Sequence, residues 1–333
     1  MIEFPALLGD IGGTFARFAV LLEPGAPVQL LAKGLTTAHA DPTSAILAAL
    51  QHHSGARPVS ALLALAGRIS GPVVHLTNAA WTLDAGQIGR DLGLEHVILL
   101  NDYVGTAAGL TVLDPATDLM RIGPAPACAG PQVVLGPGTG LGAAALVPYG
   151  LQCVLHATEA GHMDFGARHE GEMKLWPLVE HPGGRVSAET LLCGSGLVRL
   201  YRALARSRSL HPKLASPADV VTAGRDGGNE LAADTLDLFA GLLGRFAGDL
   251  ALVFGAAGGV FITGGIAQRI GGLLDAGAFR TEFERKFPFE TVMERTPTIL
   301  ITHAEPALEG LAAVATHPHR FIRQEARWSR SST

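Results

Sequence analysis

Two glycine-rich turns, each set between short apolar runs, flank an Asn-Asp pair in this chain. The first is Gly9-Asp10-Ile11-Gly12-Gly13-Thr14 and the second is Gly136-Pro137-Gly138-Thr139-Gly140-Leu141-Gly142; between them lies Asn101-Asp102. Such turns can offer backbone amides and a hydroxyl to phosphate oxygens. Asp10 would repel a phosphate unless a cation intervened, so an acid beside a glycine turn points to magnesium, held directly or through water. Arg17 could add a phosphate contact. Asp102, at the end of an apolar run, is the candidate base, because a carboxylate near a hydroxyl can take its proton as the oxygen attacks phosphorus. Taken singly, each segment also has a plainer reading: a tight turn, an Asp turn with a surface Arg, or a helix cap at Asn101-Asp102.

Further acids follow in Thr158-Glu159-Ala160-Gly161-His162 and Ser187-Ala188-Glu189. Three carboxylates with Asp102 would serve a phosphate badly and a neutral polyol well, since each accepts several hydroxyl hydrogen bonds. The expected acceptor is a sugar, with His162 as a hydroxyl ligand or as the partner that holds Glu159. Asn78 and Trp81 in LTNAAWTL suit the wall of a small polar site, and Trp81 suits a core equally well. Gly264-Gly265, after the run VFIT, stand where backbone could approach an adenine ring. Neither glycine turn has the P-loop or the dinucleotide spacing. Met173 breaks the H-E-x-x-H pattern begun by His169-Glu170, and no C-x-x-C occurs, so zinc is disfavoured.

These residues need a scaffold, and 333 residues with 48% hydrophobic and 17% charged side chains suffice for about two globular domains. A formal charge of −5 gives no general attraction for nucleic acid. Three dispersed cysteines and a start without a basic leader fit a cytoplasmic protein. The charge-free stretch 250–268 is broken by glycines and reads as a helix end, a turn, a buried strand and a second turn, not a membrane span. Residues 6–8 and 15–22 read as strands of a hairpin, extended by 28–35. A helix over 44–52, capped by Ser44 or Thr43, precedes strands at 61–66 and 96–100, and another helix starts near Gly105. The proline-rich patch 114–131 marks a domain change. A second hairpin, 132–135 with 142–148, follows it. Leu236, Phe239, Leu243, Phe246, Leu250 and Val253 mark one face of a long helix, and 304–315 is a shorter one. The expected division is a small α/β domain of 1–110 plus 301–320, a large α/β domain of 111–300, and a basic tail of 321–333 that is frayed or lightly docked, or else touches a partner subunit.

The stretches GDIGGTFARFA, LTNAAW, NDYVGTAAG, LGPGTGLGAA, ATEAGHMDF, RVSAETLLCGSGL and VFITGGIAQR, in this order from Gly9 to Arg269, resemble the bacterial glucokinases of the hexokinase–actin ATPase superfamily. The resemblance implies a two-lobed, actin-like ATPase (ribonuclease H-like) α/β fold with a central cleft that closes on its substrate. It implies transfer of the γ-phosphoryl of ATP to the 6-hydroxyl of D-glucose with magnesium, by a cytoplasmic homodimer. Asp102 matches the catalytic base. Asn101, Glu159, His162 and Glu189 match sugar ligands, with Asn78 in the sugar-side loop. Asp10, Ile11, Gly12, Gly13 and Thr14, with Arg17, match the first phosphate motif, Gly138, Thr139 and Gly140 the second, and Gly264 and Gly265 the adenosine motif. Phe15 stands where relatives often have Asn, which removes a polar side chain while the carbonyl and amides of the turn survive. Gln268 stands where proline is common. A kinase of another hexose, or a sugar sensor without turnover on the same fold, remain the alternatives.

Overall fold

The computed structural model describes residues 2–51, 53–76, 79–126, 128–275 and 277–330. It forms two compact units. The first comprises Met1–Thr117, Ala144–Ala157 and His303–Thr333, and the second Asp118–Ala143 and Thr158–Thr302. The chain leaves the first unit within the proline-rich patch. The hairpin 144–157 and the tail, however, both belong to the first unit, so the expected division is corrected at these two segments.

The first unit is built on a six-stranded sheet in the order Ala326–Ser329, His96–Asn101, Ser60–Leu65, Ala6–Ile11, Phe15–Leu21, Gln29–Leu35. The three middle strands run parallel and the outer pairs antiparallel. Every residue of Ser60–Leu65 is buried, which is why this strand reads as an unbroken apolar run: both of its faces are covered. Leu7, Leu63, Leu65, Val97 and Leu99 on one face join Ile46, Trp81 and Ile88 in a core. The helix Pro42–Leu50 is capped by Asp41, whose side chain accepts from Ser44 N at 2.8 Å, so the cap lies two or three residues earlier than expected.

The helices Asp102–Gly109 and Pro306–Thr316 pack against each other at glycines. A Cβ on Gly310 would lie 1.8 Å from the Gly105 carbonyl oxygen, so only glycine permits this backbone approach. The tail is docked, contrary to expectation. Ala326–Ser329 pairs with His96–Asn101, and a Cβ on Gly89 would fall 2.0 Å from the Trp328 ring. The Trp328 ring and the strand hydrogen bonds outweigh the polar composition that suggested a loose end.

The second unit carries strands in the order Gln132–Pro137, Gly259–Ile262, Thr298–Ile301, Leu119–Arg121, the first three being parallel. The helix Glu230–Phe254 is capped by Asn229 and closed by Gly255 in the left-handed region, at φ 56°. On it, Arg245 is buried, pairs with the buried Glu172 at 2.9 Å and lies 4.0 Å from the Phe165 ring centroid. After Gly259–Ile262 the chain enters a short helix, Gly265–Arg269, where a simple turn was expected. Among the described residues no helix is long and apolar enough to cross a membrane.

Candidate active site

In the first unit the parallel strands align Asp10 with Ala64 and Ala64 with Leu100, and likewise Ile11 with Leu65 and Leu65 with Asn101. Two strand spacings separate the ends, so the first glycine turn and Asn101-Asp102 emerge roughly 10 Å apart at one edge of the sheet. Carboxyl ends of parallel strands are where open α/β sheets bind ligands.

Asp10 lies on the strand Ala6–Ile11, not in the turn, because the hairpin turn tightens to Gly12-Gly13-Thr14. Gly12 N donates to the Phe15 carbonyl at 2.9 Å, while the Phe15 side chain is exposed. The turn is thus closed by backbone at the position where the polar side chain is missing. It also means that the Gly12 amide is spent on the turn and is not open to a phosphate. Buried Thr36, which opens the 3-10 turn Thr36–Ala38 after the strand Gln29–Leu35, supports the glycine turn, its hydroxyl donating to the Gly13 carbonyl at 3.2 Å and its amide to the Thr14 carbonyl at 3.0 Å.

Arg17 faces Asp10 across the hairpin and donates from Nη1 to Asp10 Oδ2 at 3.0 Å. Its Nε lies 2.5 Å from Glu305 Oε2, a contact of opposite charges in which the N–H is poorly aligned. Lys33 Nζ reaches Glu305 Oε1 at 3.0 Å. Burial pushes the Asp10 carboxyl above the usual carboxylate range, against the pull of Arg17; the neighbouring Glu305 adds to the rise and Lys33 opposes it. Arg17 is therefore engaged by carboxylates, where the sequence suggested a phosphate contact. Glu305 and Lys33 were not anticipated, although Pro306 at the first helical position would have placed Glu305 at a helix entrance.

Asn101 caps the helix Asp102–Gly109. Its Oδ1 accepts from Tyr103 N at 3.0 Å and its Nδ2 donates to the Gly67 carbonyl at 3.2 Å. The helix accordingly begins at Asp102 instead of near Gly105, and the Asn101 side chain is largely committed to protein. Asp102 Oδ1 also accepts from Tyr103 N, at 3.0 Å, which restrains the carboxylate. Trp81 belongs to the core, and its Nε1 donates to the His39 carbonyl at 3.2 Å. Asn78 lies outside the described residues.

The second unit gathers a different set. Gly138 N donates to the Gly140 carbonyl at 2.8 Å, and the Gly138 carbonyl accepts from Gly194 N at 2.9 Å. The Gly138 amide is therefore also spent on its turn, which leaves shape as that residue's part. Glu189, in the first turn of the short helix Ala188–Leu191, accepts from Leu141 N through Oε2 at 2.7 Å. Gly161 packs on the same residue, since a Cβ there would lie 2.2 Å from the Leu141 carbonyl oxygen. Leu141 thus ties the second glycine turn to the segments that carry Glu159 and Glu189.

Glu159 and His162 flank one 3-10 turn, with His162 N donating to the Glu159 carbonyl at 3.0 Å. Their side chains approach only to 3.9 Å, too far for the hydrogen bond that was expected to hold Glu159. Arg185, not anticipated, donates to the His162 carbonyl and to Asp164 Oδ1, both at 2.7 Å. Gly264 has φ 95°, and a Cβ there would meet the Pro137 carbonyl oxygen at 2.6 Å; Gly265 opens the helix that follows. Gln268 donates to the Ile301 carbonyl at 3.1 Å, bracing that helix on its sheet.

The glucokinase family model matches residues 7–318. This chain belongs to the glucokinase family. A glucokinase of Chelativorans sp. (strain BNC1) is 42% identical over 322 residues, covering 96% of this chain and 94% of the relative. A glucokinase of Brucella melitensis biotype 1 is 42% identical over 325 residues, covering 96% and 93%. Among solved structures, a glucokinase from an Antarctic psychrotroph superimposes with a TM-score of 0.79 at 31% identity, covering 94% of this chain and 99% of the other. One from Balamuthia mandrillaris, solved in complex with glucose, gives 0.78 at 21% identity with 93% of each chain covered, a likeness of fold. The glucokinase fold, of the actin-like ATPase (ribonuclease H-like) α/β type, is the one built here from the two units.

Proposed function

We propose that this glucokinase-family enzyme transfers the γ-phosphoryl of ATP to the 6-hydroxyl of D-glucose with Asp102 as the base and Asp10 as the magnesium-bearing carboxylate. The observation that carries the reading is the strand register that brings the first glycine turn and Asp102 to one sheet edge. Asp102 accepts the 6-hydroxyl proton as that oxygen bonds to phosphorus and ADP departs. Its restraint by Tyr103 N keeps the carboxylate from swinging away.

Asp10 suits magnesium because it is an oxygen donor with Arg17 on Oδ2. Among the described residues no cluster of three or more metal-type side chains occurs, and magnesium characteristically uses one or two carboxylates plus phosphate oxygens. When bound, the ion supplies positive charge to the phosphate oxygens. Glu159, His162 and Glu189 read the sugar hydroxyls in the second unit. Asn101 offers the sugar what its cap bonds leave, and Asn78 is assigned to the sugar side by resemblance alone. Ile11, Gly12, Gly13 and Thr14 shape the first phosphate turn, Gly138, Thr139 and Gly140 the second, and Gly264-Gly265 the adenosine side. The proposal includes a cytoplasmic homodimer. Its three cysteines are free, and sedimentation velocity reads the oligomeric state.

Coupled ADP release measured on glucose, mannose, fructose and N-acetylglucosamine tests the assignment, because specificity is a ratio of kcat/KM values. Glucose is expected to give the highest. A higher value for another hexose would reassign the acceptor, and sugar binding without ADP release would make the chain a sensor.

A further inference from the structure

Glu305 stands at the entrance of the helix Pro306–Thr316, where an acid could cap the free amides, yet its side chain makes no capping bond. It is largely buried and turned instead toward Arg17 and Lys33, at 2.5 and 3.0 Å. Arg17 is consequently shared between two acids. A guanidinium free to choose favours a forked pair with both oxygens of one carboxylate. Here it meets Asp10 through Nη1 and Oδ2 while its Nε side is drawn to Glu305. The two acids, Asp10 and Glu305, and the two bases, Arg17 and Lys33, leave the cluster electrically balanced.

We propose that Glu305 is a positioning residue for the metal–nucleotide half of the reaction, holding Arg17 so that Asp10 keeps an oxygen directed to a hard cation instead of being clamped from both sides. The inference rests on the reading that Asp10 carries the magnesium. Glu305 has a second connection to the chemistry, because its helix packs on the helix that begins with Asp102. Removing Glu305 would let Arg17 compete with the cation for Asp10.

The test is manganese binding in the presence of ADP, followed by paramagnetic resonance without turnover, alongside the magnesium dependence of the rate. Glu305→Gln should weaken manganese–ADP binding about tenfold, the size of one charge-assisted contact, and raise the magnesium half-saturation in step while KM for glucose stays put. Glu305→Asp, with its charge retained on a shorter arm, should recover part of the loss. Unchanged manganese binding in a folded Glu305→Gln protein would overturn the proposal. If that variant fails to fold, Lys33→Gln, at a half-exposed site, releases Glu305 to Arg17 and should leave manganese binding equal or tighter; weaker binding would count against the proposal. Asp10→Asn separates the two layers. If it binds manganese–ADP like the parent, the metal reading itself fails; if it binds weakly while Glu305→Gln does not, only the role of Glu305 fails.

Discussion

The two glycine turns share a hairpin plan and a self-closing amide, but they are equipped differently. Around the first turn the working groups are side-chain charges: Asp10, Arg17, Lys33 and Glu305 form one buried or half-buried network. Around the second the working groups are backbone atoms held at close quarters, with Glu189 as the single carboxylate that grips the strand after the turn. The contrast matches the needs of phosphoryl transfer. A cation must be bound by charge, whereas phosphate and a sugar can be bound by shape and hydrogen bonds. Substitutions of charge should therefore be felt most around the first turn, and substitutions of volume most around the second.

The largest effect should come from Asp102→Ala, which removes the proposed base while leaving the proposed sugar ligands of the second unit in place. Turnover should fall by about 10²–10⁴-fold, with glucose binding still measurable by calorimetry. Near-normal kcat would end the assignment. Glu189→Ala removes the carboxylate that grips the strand after the second turn. Loss of the bond to Leu141 N should cost about 1.5–3 kcal/mol in chemical denaturation and also raise KM for glucose. A change in glucose KM without a change in stability would mean that the anchor is idle.

Gly264→Ala tests shape alone. The new Cβ meets the Pro137 carbonyl oxygen at 2.6 Å on a backbone at φ 95°, so a loss of about 1–3 kcal/mol and a raised KM for ATP are expected. The matched control is Gly138→Ala, whose Cβ would meet nothing closer than 3.9 Å and should shift stability by no more than about 0.5 kcal/mol. Equal effects from the two would break the idea that the second turn works by close approach.

For the first unit, pH supplies the subtler probe. The Asp10 carboxyl is raised in the folded state, so its favourable share of stability is present below the unfolded value of 3.8 and is lost as pH climbs through the folded value. Asp10→Asn abolishes that titration. Melting temperatures should therefore move in favour of the variant, relative to the parent, as pH rises above about 4. A difference independent of pH would show that Arg17 and Lys33 cancel the burial. The smallest effect should be that of Phe15→Asn. The exposed side chain leaves the turn's backbone bond intact, so stability should stay within about 0.5 kcal/mol and KM for ATP should not move.

Much of the site was legible because its signals are local. Glycine turns and an Asn-Asp pair after an apolar run each declare a backbone conformation within a few residues, and the order of the motifs carries the family. The central strands were readable for the same reason, since continuous burial leaves a continuous apolar run. Boundaries failed where a side chain did two jobs. Asn101 caps a helix, the plainer of its two readings, while that helix was started too late, and Asp10 was put in a turn although it belongs to a strand. The signals for the starts of the helices Pro42–Leu50 and Pro306–Thr316, Asp41 before Pro42 and Glu305 before Pro306, are themselves local and went unread.

By itself the sequence determined the two hairpins, the acidic residues between and after them, and the family to which the chain belongs. Tertiary structure alone decided that Glu305 meets Arg17 and Lys33, that the tail seats Trp328 on Gly89, and that the hairpin 144–157 joins the first unit. Periodicity and turn chemistry report what neighbouring residues do to one another's dihedral angles and faces. Which distant elements meet is set by the summed fit of many surfaces, such as the glycine-to-glycine approach of Gly105 and Gly310, and no single stretch of chain records that sum.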